Sequence, residues 1–395
     1  MRIPLRIDLQ ELSLYLIVSV GSIFGYATAF VMPVLVAPLI AAFGFNEQQI
    51  GLVFSLELSG IAIAAMICSA RTSTMNFRSV AISGAIVASL GHLLALIVDS
   101  VWLFGATRLL AGLGEGTVLA VTFAFAARSA VPERAFAISQ LVITAIAVGL
   151  LLQIPQFIAS WDYRAAYGTL LLVFIIFTPA LFLLSSRKSD KQISSAELTA
   201  KTFPCKAIGA LILIAYVLTN LTDMGIWAFA ERTGTSIQVP AQRIAELLAL
   251  AQISGIAGSI IAATVQTKYG RVIPLSAALV ACFFVVLGIG SPANPTVYSI
   301  SILCLPFVTM ILWPYLLGAL ASLDQFGSWT ALGGSASAIG VAIGPFIAGT
   351  LAEAYSYRIM TWILCTFLLL ALLFIQMAFR KKLRDKYSEA VLVNG

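Results

Sequence analysis

Arg108 and Glu115 stand seven residues apart in ATRLLAGLGEG, residues 106–116, inside an otherwise apolar stretch. At about 100° per residue, seven steps return to one helical face, with the two charges roughly 10 Å apart along the axis. Three further ionisable groups occupy comparable positions: Glu57, Asp223 and His92, the chain's one histidine. A charge at membrane depth costs at least about 2.5 kcal/mol, so such groups normally face a cavity or a partner. A carboxyl group that moves between an apolar wall and an arginine changes its hold on a proton. Glu57, Arg108, Glu115 and Asp223 are therefore the candidates for proton coupling. At roughly 10 Å, Arg108 is as well served by a water bridge or by another helix's carboxylate as by Glu115 itself. His92, near the outer end of its helix, suits a local hydrogen bond, and a pKa near ~6.5 also allows a proton relay.

These residues must be held by membrane helices. Of the 395 residues, 60% are hydrophobic and 10% charged, with a mean hydropathy of +1.01; a soluble domain carries about 25% charged residues. Apolar runs of about 20 residues recur along the whole chain, long enough to cross ~30 Å of hydrocarbon as helices. Short alternating segments, the mark of a barrel, are missing. The expected fold class is all-α and polytopic. Twelve spans follow from turn and charge punctuation: 11–41, 47–71, 78–98, 101–128, 134–160, 164–186, 206–231, 241–267, 272–290, 296–322, 328–353 and 357–380. The expected division is a six-helix bundle over 1–187, a polar linker over 188–205, and a second bundle over 206–395 ending in a short basic tail.

The 23 lysines and arginines follow topology. Eighteen fall in alternate segments, four (Arg164, Arg232, Arg243, Arg358) in the others, and Arg108 lies within a span. The positive-inside rule then puts both termini in the cytoplasm, and the net charge of +6 gives no reason to expect nucleic acid as a partner. The first apolar stretch reads as a retained span, because it is too long for a signal peptide and no clear cleavage site follows. Five scattered cysteines and one histidine show no metal-ligand spacing, so neither metal nor cofactor is expected. There is no Gly-x-Ser-x-Gly turn and no phosphate-binding Lys-Ser/Thr loop; an enzyme is not expected.

The halves repeat. ELSGIAIAA from Glu57 aligns with QISGIAGSI from Gln252, and Tyr163-Arg164 aligns with Tyr357-Arg358, at offsets of 195 and 194. Two six-helix pseudo-repeats around a polar linker resemble the major facilitator superfamily, whose substrate sites lie between halves near the midplane. The motifs that carry this resemblance span the chain. Arg108-x-x-x-Gly112-x-Gly114 is similar to the family's arginine-containing motif in helix four. VPERAFA, with Pro132, Glu133 and Arg134, resembles its loop between helices four and five. Lys268, Gly270 and Arg271 resemble the end of its basic cytoplasmic motif, and Gly344-Pro345 its helix-eleven pattern. The first-half basic motif, SARTSTMNFRS, keeps little beyond Arg71 and Arg78, and helix five lacks the antiporter Gly-x-x-x-Gly-Pro.

That resemblance implies a monomeric secondary transporter in a bacterial inner membrane. The expected activity is proton-coupled symport of a small organic solute, with proton-coupled efflux as the alternative and a transport-dead sensor behind both. It implies cavity-lining roles for Tyr26, Phe30, Asn220, Trp227, Gln252, Trp313 and Tyr315. Gly112, Gly114, Gly116, Lys268, Gly270, Arg271, Gly344 and Pro345 form the conformational motifs. Pro33, Pro38, Pro306 and Pro314 are expected to interrupt the first and tenth spans, and Glu231, Arg232, Arg243 and Glu246 to form one solvated rim cluster.

Overall fold

The structure, a computed structural model, describes residues 9–71, 74–127, 132–184, 206–265, 268, 270–323 and 328–394. The described residues form thirteen α-helices and no strand, as a bilayer demands when every backbone group must be satisfied within its own segment. In chain order they are α1 Leu9–Phe43, α2 Glu47–Arg71, α3 Phe77–Ala95, α4 Val101–Ala126, α5 Pro132–Trp161, α6 Tyr163–Phe177, α7 Lys206–Ala228, α8 Ala230–Ser236, α9 Ala241–Val265, α10 Val272–Gly290, α11 Pro295–Ala321, α12 Ser328–Ala354 and α13 Tyr357–Asn394. Twelve spans are long and apolar enough to cross a membrane, α6 reaching that length through the 3-10 helix Thr178–Leu183 that continues it, and α8 being the exception. The linker expected over 188–205 lies outside the described residues.

Local chemistry sets several boundaries. Asn76 accepts from the Ser79 N–H to cap α3, and Asn294 accepts from Val297 N–H just ahead of Pro295 to cap α11; side-chain oxygens here satisfy amides the helix cannot. Asp162 caps α6 through the Arg164 N–H with φ 79° and ψ −171°, a strained backbone region that glycine usually occupies. Two expectations are corrected. Pro33 and Pro38 lie inside a continuous α1, and Pro306 and Pro314 inside a continuous α11; neighbouring groups can re-satisfy what a proline frees. The span expected over 206–231 ends at Ala228, and Phe229 separates it from α8.

The chain separates into two compact units: Met1–Phe45 with Leu56–Ile193, and Asn46–Ser55 with Ser194–Gly395. In the first, α1 packs against α4, α5 and α6, and α3 against α4 and α6. In the second, α7 packs against α12 and α13, α9 against α11, and α10 against α11 and α13. The repeated Ser-Gly-Ile-Ala does the same work in both: a Cβ on Gly60 would lie 2.6 Å from the Leu109 carbonyl of α4, and one on Gly255 would lie 3.3 Å from Pro306 and Met310 of α11. A missing side chain lets two helices approach closely in a solvent that offers no hydrophobic drive.

Candidate functional site

The glycines of α4 decide what its charges meet. A Cβ on Gly112 would fall 2.0 Å from the Glu57 carbonyl oxygen, one on Gly116 2.3 Å from the Ile61 carbonyl oxygen, and one on Gly114 2.2 Å from the Ala88 nitrogen. So α4 is pressed onto α2 along one edge and onto α3 along another. This brings Glu57, His92, Arg108 and Glu115 together, all with no solvent exposure. Arg108 Nη1 donates to Glu57 Oε1 at 3.4 Å and to His92 Nδ1 at 3.4 Å, and Nη2 donates to the Gly91 carbonyl at 2.8 Å. On the far side of the imidazole, His92 Nε2 lies 2.8 Å from Glu115 Oε1. Thr28 of α1 donates to that same oxygen at 3.3 Å.

A guanidinium carries only donors. The His92 Nδ1 that faces it must present a lone pair, and the ring proton therefore sits on Nε2, pointing at Glu115. The arginine face is closed by aromatic rings: its Cζ lies 4.4 Å from the Tyr167 centroid and 5.6 Å from that of Phe104. A desolvated contact of this kind is worth about 2 kcal/mol. With histidine neutral and both carboxyls ionised, the group would carry a net charge of −1. Glu57 Oε2 and Glu115 Oε2 are buried with no hydrogen-bond partner, two acceptors left over, and the Tyr167 hydroxyl, donor and acceptor at once, is unpartnered too. A single added proton removes both the charge and one orphan acceptor.

One ligand atom each from Glu57, His92 and Glu115 lie within 4.8 Å of one another, a spacing that could close on a metal ion. Arg108 already bonds to Glu57 and to His92 within that group, and its fixed positive charge opposes a divalent cation there. The geometry suits a proton better than a metal.

In the second unit the polar residues are dispersed. Asn220 donates to the Tyr216 carbonyl at 2.8 Å and accepts from Ser337 of α12 at 3.1 Å. Asp223 is buried, and among the described residues it makes no ion pair. Gln252, the repeat partner of Glu57, Trp227 and Tyr315 are also buried, and the buried indole nitrogen of Trp313 lacks a partner. In the first unit Tyr26 is exposed and its ring lies 6.4 Å from that of Phe30. The expected rim cluster is corrected by the structure. Arg243 and Glu246 form an exposed pair at 3.0 Å, whereas Arg232 donates to Glu47 Oε1 at 3.1 Å and to the Tyr357 hydroxyl at 3.2 Å. Tyr357 also donates to Glu47. Glu231 is buried, and its carboxyl is pushed up to about 7 by that burial, an effect Arg232 opposes and Glu47 reinforces.

The sequence over residues 17–323 matches the family model of the Major Facilitator Superfamily. The chain belongs to that superfamily. It is accordingly a multi-pass membrane protein of a transporter family. Solved structures agree on the fold. The crystal structure of the nucleoside transporter NupG matches with a TM-score of 0.77 at 11% identity, covering 94% of this chain and 99% of that one. The D-xylose-proton symporter matches at 0.73 and 16%, covering 92% and 97%. A bacterial homolog of the human lysosomal transporter Spinster, inward-facing and occupied, matches at 0.65 and 15%, covering 95% and 97%. No curated protein matches by sequence.

Several superfamily motif residues have clear packing duties. Gly344 lets α12 approach the Leu221 carbonyl of α7, where a Cβ would lie at 2.6 Å, and the Pro345 carbonyl occupies the space a Gly51 side chain would need. Gly270 has a φ of 71°, and Lys268 is exposed; Gln266, Thr267 and Tyr269 lie outside the described residues. Sequence reasoning gave His92 a local hydrogen bond or a proton relay without counting it among the coupling candidates, and it left Tyr167 and Thr28 out. An imidazole alone in an apolar span was a usable signal for His92. Nothing in the local pattern marks Tyr167 or Thr28.

Proposed function

We propose that this superfamily member is a proton-coupled symporter of a small organic solute, working by alternating access. The observation that supports this most is the buried group of Glu57, His92, Arg108 and Glu115, in which two carboxyls share one guanidinium and one proton would neutralise the excess. Charge buried at that depth is expensive and persists where it has a task. Asp223 is a second candidate group, and the polar and aromatic residues Asn220, Trp227, Gln252, Trp313 and Tyr315, with Tyr26 and Phe30, are the candidate solute contacts. The unpartnered Trp313 indole nitrogen favours a solute with an acceptor. We place the protein in a bacterial inner membrane as a monomer with both termini cytoplasmic.

The test is solute uptake by proteoliposomes under an imposed pH gradient, with nucleosides and pentoses as first probes because structurally similar proteins bear those names. The wild type accumulates solute when the outside is acid, and loses the effect with a protonophore. Glu57→Gln, Glu115→Gln and Asp223→Asn divide the labour. If all three retain acid-driven accumulation, proton coupling through these groups is wrong. Accumulation driven in the opposite sense identifies efflux.

A further inference from the structure

Resting on that reading, we infer that His92 is the relay of the site: a proton taken at its Nδ1 displaces Arg108 and delivers the Nε2 proton to Glu115. The argument begins with two contacts on opposite ends of one ring, Arg108 Nη1 to Nδ1 at 3.4 Å and Nε2 to Glu115 Oε1 at 2.8 Å. Nδ1 can hold either a proton or the arginine's hydrogen bond. It cannot hold both, because two donors then face each other. The proton balance is simple. One proton enters at Nδ1, the Nε2 proton passes to Glu115 Oε1, and the ring ends neutral in its other tautomer. Glu115 becomes a neutral acid and the group moves from −1 to zero. Arg108, shut out from the ring, keeps Glu57 Oε1, the Gly91 carbonyl and the Tyr167 face.

Among the described residues, the hydrogen bonds of the ring lead to no other acceptor for that proton. The charged and titratable groups facing His92 are Arg108 and Glu115 of α4, Glu57 of α2, and Tyr167 of α6, whose ring lies 6.0 Å away. Phe174 closes α6's other approach edge-on at 4.9 Å, and α1 contributes the uncharged Thr28 through Glu115. Proton arrival therefore changes what Arg108 is bound to, and the ring is the positioning element that links the two events.

Because the chain has one histidine, a protein labelled with nitrogen-15 only at histidine, and purified without a histidine tag, gives a single imidazole spectrum. The proton is the probe. At neutral pH the wild type shows the proton on Nε2 and a bare Nδ1; on acidification the pattern swaps to Nδ1–H with a bare Nε2. In Glu115→Gln, which cannot accept the proton, acidification yields the doubly protonated imidazolium instead. A ring that stays Nε2–H throughout the folded range, or a wild type that passes to imidazolium with no tautomer swap, overturns the relay. Acid-driven transport by a wild type whose ring never changes rejects the relay alone, whereas absence of acid-driven transport rejects the reading beneath it.

Discussion

Replacing Gly112 with alanine tests how the site is assembled. The new Cβ would lie 2.0 Å from the Glu57 carbonyl oxygen. A relaxed C–H···O contact needs about 3.3 Å, so α2 and α4 must part locally by about 1.3 Å. Arg108 and Glu57 are already 3.4 Å apart, and a displacement of that order takes them out of hydrogen-bond range. Overpacking of this kind destabilises by ~1–3 kcal/mol. Gly149 of α5 and Gly168 of α6 supply the control, because a Cβ at either meets nothing within 4 Å; alanine there stabilises a helix by ~0.5–1 kcal/mol. The two kinds of variant should therefore differ by roughly 1.5–4 kcal/mol with opposite signs. Thermal unfolding in detergent can be followed with a thiol-reactive dye, since Cys68, Cys282 and Cys365 are buried until the fold opens. If Gly112→Ala melts at or above Gly168→Ala, glycine-set contact between α2 and α4 does not hold this site together.

Two further outcomes follow from named contacts. Glu231 has a folded carboxyl pushed up to about 7 against ~4.3 in an unfolded chain. The fold therefore binds its proton more tightly, and the resulting stability is complete below about pH 4 and lost as pH rises through about 7. Stability curves should show wild type declining across this window by up to ~4 kcal/mol and Glu231→Gln declining less; parallel curves contradict it. At Tyr167, whose hydroxyl has no partner while its ring covers Arg108, phenylalanine should leave thermal stability unchanged. Leucine should cost about 2 kcal/mol, and equal effects from both would show that the ring does not hold the guanidinium.

The twelve spans were legible because a bilayer imposes length and polarity on each segment separately. Prolines were the weak point: Pro33, Pro38, Pro306 and Pro314 break the local rule, while the helices around them run on. The break at Phe229 falls inside the apolar run GIWAFA, residues 225–230, where hydropathy gives no warning. At the site, the spacing of Arg108 and Glu115 placed them on one face, and the expectation of a partner from another helix fits the Glu57 contact. What that spacing could not convey was the element between them. His92 reaches Arg108 and Glu115 only because Gly91 and Gly114 let α3 and α4 touch, a tertiary approach with no signature in either helix alone. Glu231 and Arg232, adjacent in sequence, part company in the fold because Glu47 and Tyr357 claim the arginine.

The charge balance of the buried group also has an electrical side. A full elementary charge crossing the whole membrane field gains or loses ~2.3 kcal/mol per 100 mV. A cluster of one guanidinium and two carboxyls would be anionic with both carboxyls ionised, and a voltage that is negative inside would drive it toward the outer face. Once protonated it is neutral, and the field no longer grips it. Under the proposed proton symport, with an uncharged cargo, the membrane potential would power the return of the empty carrier and leave the loaded passage voltage-blind.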